Sequence, residues 1–156
     1  MPTCALPLQR VVGNSAYQGG KSRQRPHAAR RDKVLLAKFV DKTYFFFPGG
    51  GVEFAEGVEA ALKRELHEEL GANLLSTTFI GASEHLFDNA GTPYHELNVV
   101  FSARIEDHHV VSKEANLTFT WMLINDLERE NVLPKELVAA VVQWTKDGKT
   151  FWITAL

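Results

Sequence analysis

The chain has 156 residues, 45% of them apolar and 23% charged, with a formal net charge of −2. That is the size and composition of one globular domain with a single sizeable core, and the near-neutral charge argues against binding nucleic acid through bulk electrostatics. Cys4 is the only cysteine, which excludes an internal disulfide and suits a reducing compartment.

Residues 1–16, MPTCALPLQRVVGNSA, lack the continuous apolar stretch of a secretory signal, and no run approaches the length that crosses a bilayer. A cytoplasmic protein is expected. Residues 17–33, YQGGKSRQRPHAARRDK, are basic and weakly apolar, and Pro26 biases Arg25 away from the helical region. With little aromatic interleaving, this stretch reads as a flexible or partner-covered loop and not as a nucleic-acid face. No repeat or linker divides the chain, so one domain over residues 1–156 is expected, with 1–32 as an atypical N-terminal segment.

VLLAKF (34–39) and TYFFF (43–47) read as strands around an Asp41-containing turn, ended by PGGG at 48–51. Residues 58–70 then carry Val58, Leu62, Leu66 and Leu70 at i+4 spacing, the apolar stripe of a helix, with Gly71 placed for a left-handed cap. STTFIGASEHLF (76–87), HELNVVFSARI (95–105) and NLTFTWMLI (116–124) read as strands, the first two joined by a turn in DNAGTPY. Residues 125–130 and 134–147 read as helices, and TFWITAL (150–156) as a last strand. Strands alternating with two amphipathic helical regions predict a three-layer α/β/α sandwich with a mixed central sheet.

On the first helix, Glu65, Glu68 and Glu69 fall at i, i+3 and i+4 and share one face. Each like-charged pair costs about 0.2 to 0.5 kcal/mol on an isolated helix, so a cation belongs there. Carboxylates are the ligands that hard divalent ions prefer. The plainer alternative is a solvated face on which Arg64 pairs with Glu68 at i+4.

Gly50, Glu56, Arg64, Glu65, Leu66, Glu68, Glu69, Gly71 and Ala72 together spell G-x5-E-x7-R-E-U-x-E-E-x-G-U, with U aliphatic. At background frequencies a chance match at the seven fixed positions is on the order of one in 10^8, so coincidence is not a serious rival. The segment resembles the Nudix box, the signature of hydrolases that cut nucleoside diphosphates linked to another group. The resemblance implies a mixed sheet between helices, and Glu65, Glu68 and Glu69 as ligands of one to three Mg2+ or Mn2+ ions. It implies Glu56 and Arg64 as a structural pair, beside Gly50 and Gly71, and a small-molecule nucleotide as substrate.

A further carboxylate, as base or extra metal ligand, often lies outside the box in this family. Glu114, in the loop leading to Trp121, and Glu96, on a strand, are the candidates. Each has a bland alternative: a solvated loop residue for Glu114, an outward or hydrogen-bonded strand residue for Glu96. Tyr44, Phe46, Phe87 and Trp121 stack a base or simply fill the core; His108 and His109 read as loop residues. The downstream markers of ADP-ribose, diadenosine polyphosphate and NADH pyrophosphatases are missing.

Family members place an apolar strand directly before the equivalent of KVLLAKF, where this chain has RPHAARRD. Either LQRVVGNSAY supplies that strand after a longer loop, or the sheet edge is rearranged or completed by a second subunit, as in a homodimer. Two other functions compete with hydrolysis. A prenyl diphosphate isomerase needs cysteine chemistry, and Cys4 is far from the box in sequence. A non-catalytic nucleotide-sensing or nucleic-acid-binding domain commonly erodes the box glutamates, which this chain keeps.

Overall fold

The computed structural model describes the backbone of residues 8–14 and the whole of residues 33–88, 91–106 and 110–155, with Asn89 as backbone. The basic stretch up to Asp32, together with His108 and His109, lies outside the described residues. Among the described residues nine strands occur in chain order: β1 (Leu8–Asn14), β2 (Lys33–Phe39), β3 (Phe45–Phe46), β4 (Gly49–Gly51), β5 (Leu74–Asn89), β6 (Thr92–Ile105), β7 (Leu117–Leu123), β8 (Val132–Leu133) and β9 (Phe151–Ala155). Helix α1 (Val58–Leu70) follows β4, and α2 (Lys135–Asp147) follows β8.

The strands form two mixed sheets, ordered β4-β1-β6-β5-β9 and β7-β2-β3-β8. Of the two explanations for the unusual start, the first holds: the LQRVVGN segment runs parallel to β6 over seven residue pairs and antiparallel to β4. The β5–β6 hairpin is closed at Asn89 and Thr92, and Gly91 there takes a positive φ of 85°, a conformation that favours glycine.

The run VLL in β2 is buried on both faces, as an unbroken apolar run predicts. Val34 and Leu36 join Ile80, Val100 and the α2 stripe Leu137, Val138, Val141 and Val142 in one cluster. Leu35 joins Ala61, Leu62, Leu66 and Leu70 of α1 with Phe101, Ala103 and Ile105 in another. The sheets therefore lie between the two helices, the α/β layering that the pattern predicted. Among the described residues no helix is long and apolar enough to cross a membrane.

Three local expectations are corrected. The helix expected over 125–130 is only a 3-10 turn at Ile124–Asp126 followed by tight turns. Leu127 is the one buried side chain in it, too little to pack a helix, and the Phe45 N–H donating to the Asn131 carbonyl at 2.8 Å draws the chain into β8 instead. The segment at 48–51 is also more than a strand breaker. After Pro48 the chain leaves β3 in one sheet and pairs again as β4 in the other. The strand expected over 43–47 is accordingly just Phe45–Phe46.

Candidate active site

Two features fix α1 against the glycine loop before it. The turn over Glu53–Glu56 is closed by the Glu56 N–H donating to the Glu53 carbonyl at 3.1 Å. Ala55 holds a left-handed φ of 63° within that turn, and Phe54 projects wholly into solvent. The Arg64 guanidinium then reaches across from the helix. Its Nε and Nη2 donate to the two Glu56 oxygens, each at 2.9 Å, and Nη2 also donates to the Gly51 carbonyl at 2.9 Å.

Such a two-pronged, charge-assisted pair is rigid as well as strong. The hydrogen bonds from Arg64, with help from the Glu53 N–H at 3.0 Å, hold the Glu56 carboxyl down at about 2 from 4.5. The same contacts hold Arg64 above its usual value.

The remaining Arg64 nitrogen, Nη1, donates to Glu65 Oε1 at 2.8 Å and to Glu68 Oε2 at 3.2 Å. Glu65 lies over Gly50 so closely that a Cβ at Gly50 would overlap its carboxyl group. Glu69 is the most buried of the three helix carboxylates, at 9% exposure, while Glu68 is open to solvent. The guanidinium is thus the cation between Glu65 and Glu68. Among the described residues, no three acidic, histidine or cysteine side chains converge closely enough to hold an ion as they stand.

Glu96 and Glu114 occupy different surroundings. Glu96 is buried at 5% exposure, and its Oε2 accepts from Asn98 Nδ2 at 3.1 Å and lies 3.4 Å from His85 Nε2. By strand alternation Glu96, Asn98 and Val100 share the face that meets the α2 cluster, whereas Val99 and Phe101 pack with α1. Glu96 therefore faces away from the helix glutamates. Glu114 is exposed on the loop before β7, its N–H donating to Ser112 Oγ at 3.2 Å. That loop touches α1 itself: the Lys113 N–H donates to the Glu69 carbonyl at 2.9 Å.

Glu96 and His85, with Lys135 and Glu136 of α2, are polar groups lining a cleft of about 490 Å³ whose walls include Phe39, Tyr44, Phe46 and Phe87. Phe87 stacks between His85 and Tyr94, with ring centroids 5.4 and 5.1 Å away. Trp121, in contrast, packs against the α1 cluster. The sequence reading passed over His85, Asn98 and Lys113. A signal existed for Asn98, since it follows Glu96 at i+2 and so shares its face of the strand; Lys113 had none.

Comparison with known proteins agrees with this architecture. A model of the NUDIX domain family matches residues 27–144. Over 106 residues, 65% of this chain and 76% of the relative, the chain is 30% identical to an 8-oxo-dGTP diphosphatase of Buchnera aphidicola subsp. Schizaphis graminum. It is 38% identical to an RNA pyrophosphohydrolase of Haemophilus influenzae over 56 residues, 36% of this chain but only 29% of that protein. Among solved structures, the mutator MutT protein from Bacillus halodurans aligns at a TM-score of 0.72 and 15% identity, covering 94% of this chain and 88% of its own. A MutT NUDIX hydrolase from Burkholderia pseudomallei aligns at 0.66 and 22%, covering 86% and 96%. At those identities the structures speak for the fold, and the family match speaks for descent. With the box glutamates, the arginine fork and the two-sheet fold on one chain, the protein belongs to the Nudix hydrolases.

Proposed function

We propose that this hydrolase is a divalent-metal-dependent pyrophosphohydrolase of nucleotides, cleaving a phosphoanhydride by attack of water at phosphorus. The observation that carries the reading is the packing of Glu65 and Glu68 around one guanidinium on a helix that also bears Glu69, beside a glycine loop with no Cβ at Gly50 to displace Glu65. The donor set is all carboxylate, which suits Mg2+ or Mn2+. Glu65, Glu68 and Glu69 would hold the ion, with Glu114 as a further ligand. When bound, the metal would neutralise phosphate oxygens and favour both the attacking water and the leaving phosphate.

The chain's own groups supply the rest. Arg64 and Glu56 lock the Gly51 carbonyl and the loop against α1, so the diphosphate meets a rigid surface. Glu114, on an exposed loop fastened to α1, is the better candidate for accepting a proton from water. Glu96 is buried on the opposite face and already bonded, so it suits holding a ligand in the cleft rather than the chemical step. Gly51 and Asn98 both pair with Arg10 of β1, which sets β4 and β6 two strands apart within the sheet, about 10 Å. Tyr44, Phe46 and Phe87, beside Glu96 in the cleft, are the aromatic groups available to stack a base. The relatives named 8-oxo-dGTP diphosphatase and RNA pyrophosphohydrolase favour a nucleotide substrate.

The test is release of pyrophosphate, phosphate or nucleoside monophosphate from a panel of nucleotides with Mg2+. Activity abolished by EDTA and restored by Mg2+ or Mn2+ is expected. Turnover undiminished by EDTA, or no turnover of any member of the panel, overturns the proposal.

A further inference from the structure

The loop before β7 is fastened to the end of α1 by one residue that the chemistry above does not use. Besides its backbone bond to Glu69, Lys113 donates from its ammonium to the His67 carbonyl at 3.2 Å. Its side chain runs directly over Gly71, where an added Cβ would lie 2.8 Å from Lys113 Cε. The helix does not need the lysine as its cap. The Gly71 and Ala72 N–H groups already donate to the His67 and Leu66 carbonyls at 2.9 and 3.3 Å. The Glu69 carbonyl, one of the last four that a helix leaves without an internal partner, receives the Lys113 N–H instead.

One residue further on, Glu114 belongs to a turn that is rigid by its own bonds. Ser112 Oγ accepts from the Glu114 N–H at 3.2 Å and donates to the Glu114 carbonyl at 2.8 Å. Those bonds join Ser112 to Glu114, and the hydrogen bonds from this turn to α1 are made by Lys113 between them.

We propose that Lys113 is a positioning residue, clipping the 112–114 turn to the last turn of α1 so that the Glu114 carboxylate is carried at a fixed offset from Glu68 and Glu69. This rests on the catalytic reading of those carboxylates. The clip also gives Gly71 a second reason to be glycine: besides its φ of 66°, its bare Cα admits the lysine stem.

The test compares Lys113→Met, which keeps an unbranched stem and the backbone N–H but loses the ammonium donor, with Lys113→Arg, each alone and in a Glu114→Gln background. Lys113→Met should lower kcat about 10-fold with KM within about 2-fold, since small misplacements of a catalytic group cost rate and not affinity. Lys113→Arg should recover most of that loss. In the Glu114→Gln enzyme, Lys113→Met should add less than about 2-fold, because its effect passes through Glu114.

Amide hydrogen exchange on the metal-free protein reads the clip without turnover. The Lys113 amide should be protected in the wild type and exchange faster in Lys113→Met, while the interior of α1 is unchanged. Wild-type kcat in Lys113→Met, an equal loss in both backgrounds, or a Lys113 amide that exchanges like open loop would overturn the proposal. If the wild type cleaves no nucleotide, the catalytic reading fails separately, and the exchange result alone decides whether the clip exists.

Discussion

Helices α1 and α2 are built alike and used differently. Each has 13 residues, each starts without a side-chain cap, and each ends on a left-handed glycine, Gly71 at φ 66° and Gly148 at φ 68°. Each also buries an apolar stripe against the sheets. The polar side of α2 makes short-range bonds, Lys135 to the Glu130 carbonyl at its start and Gln143 and Lys149 to Asp147 at its end. The polar side of α1 is tied to the Gly51 carbonyl, the Glu56 turn and the Lys113 loop, and gathers like charges that repel. Packing accounts for the buried stripe of each helix; beyond it, α1 holds Glu65 and Glu68 around the Arg64 guanidinium, whereas α2 begins at the cleft with Lys135 and Glu136.

The sharpest way to break that contrast is to alter one helix for activity and the other for stability. Glu68→Gln or Glu69→Gln should reduce turnover by about 10^2-fold or more, the scale of losing electrostatic stabilisation of the transition state. Thermal stability of Glu68→Gln should change little, because the exposed ion pair with Arg64 that it weakens is offset by relief of the repulsion between neighbouring carboxylates. On α2, Leu137→Ala should cost about 3 kcal/mol of unfolding free energy by leaving a cavity in the core, with turnover per folded molecule unchanged. Denaturant titrations and initial rates on the same samples decide it; a glutamine variant that unfolds easily yet keeps its rate would erase the distinction.

The two end glycines offer a finer comparison. Alanine at Gly148 meets open space and bears only the left-handed backbone, about 1 kcal/mol. Alanine at Gly71 bears that and also collides with Lys113, so Gly71→Ala should be the less stable protein and the only one with impaired kcat. Equal melting temperatures would mean that the lysine simply moves aside.

The smallest effect is set by pH. Glu56 titrates at about 2 when folded and near 4.5 in its ordinary state, so its carboxylate stabilises the fold above about 4.5, and this is lost as pH falls towards 2. The stability gap between wild type and Glu56→Gln should therefore be constant near neutrality and narrow steadily between pH 4.5 and 2. A gap independent of pH across that window would mean that Arg64 does not hold the ionised form in solution.

The sequence was most readable where one period governs many residues. The Val58, Leu62, Leu66, Leu70 stripe and the VLL run each declared their element and their burial, because the side-chain pattern is the packing. Helical spacing also put Glu68 within reach of Arg64 at i+4, as the structure has it. It was least readable where the neighbour comes from far along the chain. Nothing local marks that Pro48 passes the chain between sheets, or that Lys113 meets residues 46 positions earlier at His67. The expected helix over 125–130 failed for the same reason: a distant pairing with β3 outweighed local propensity.

Strand β1 carries a consequence of its own. In the five-stranded sheet, β4 is the outermost strand and joins the rest through β1, so the glycine segment that shapes the box is moored to a strand drawn from the other side of the basic stretch. An N-terminal truncation that spares every box residue would then cut that mooring. Inactivity in such a shortened protein would report a lost scaffold and not a lost reagent.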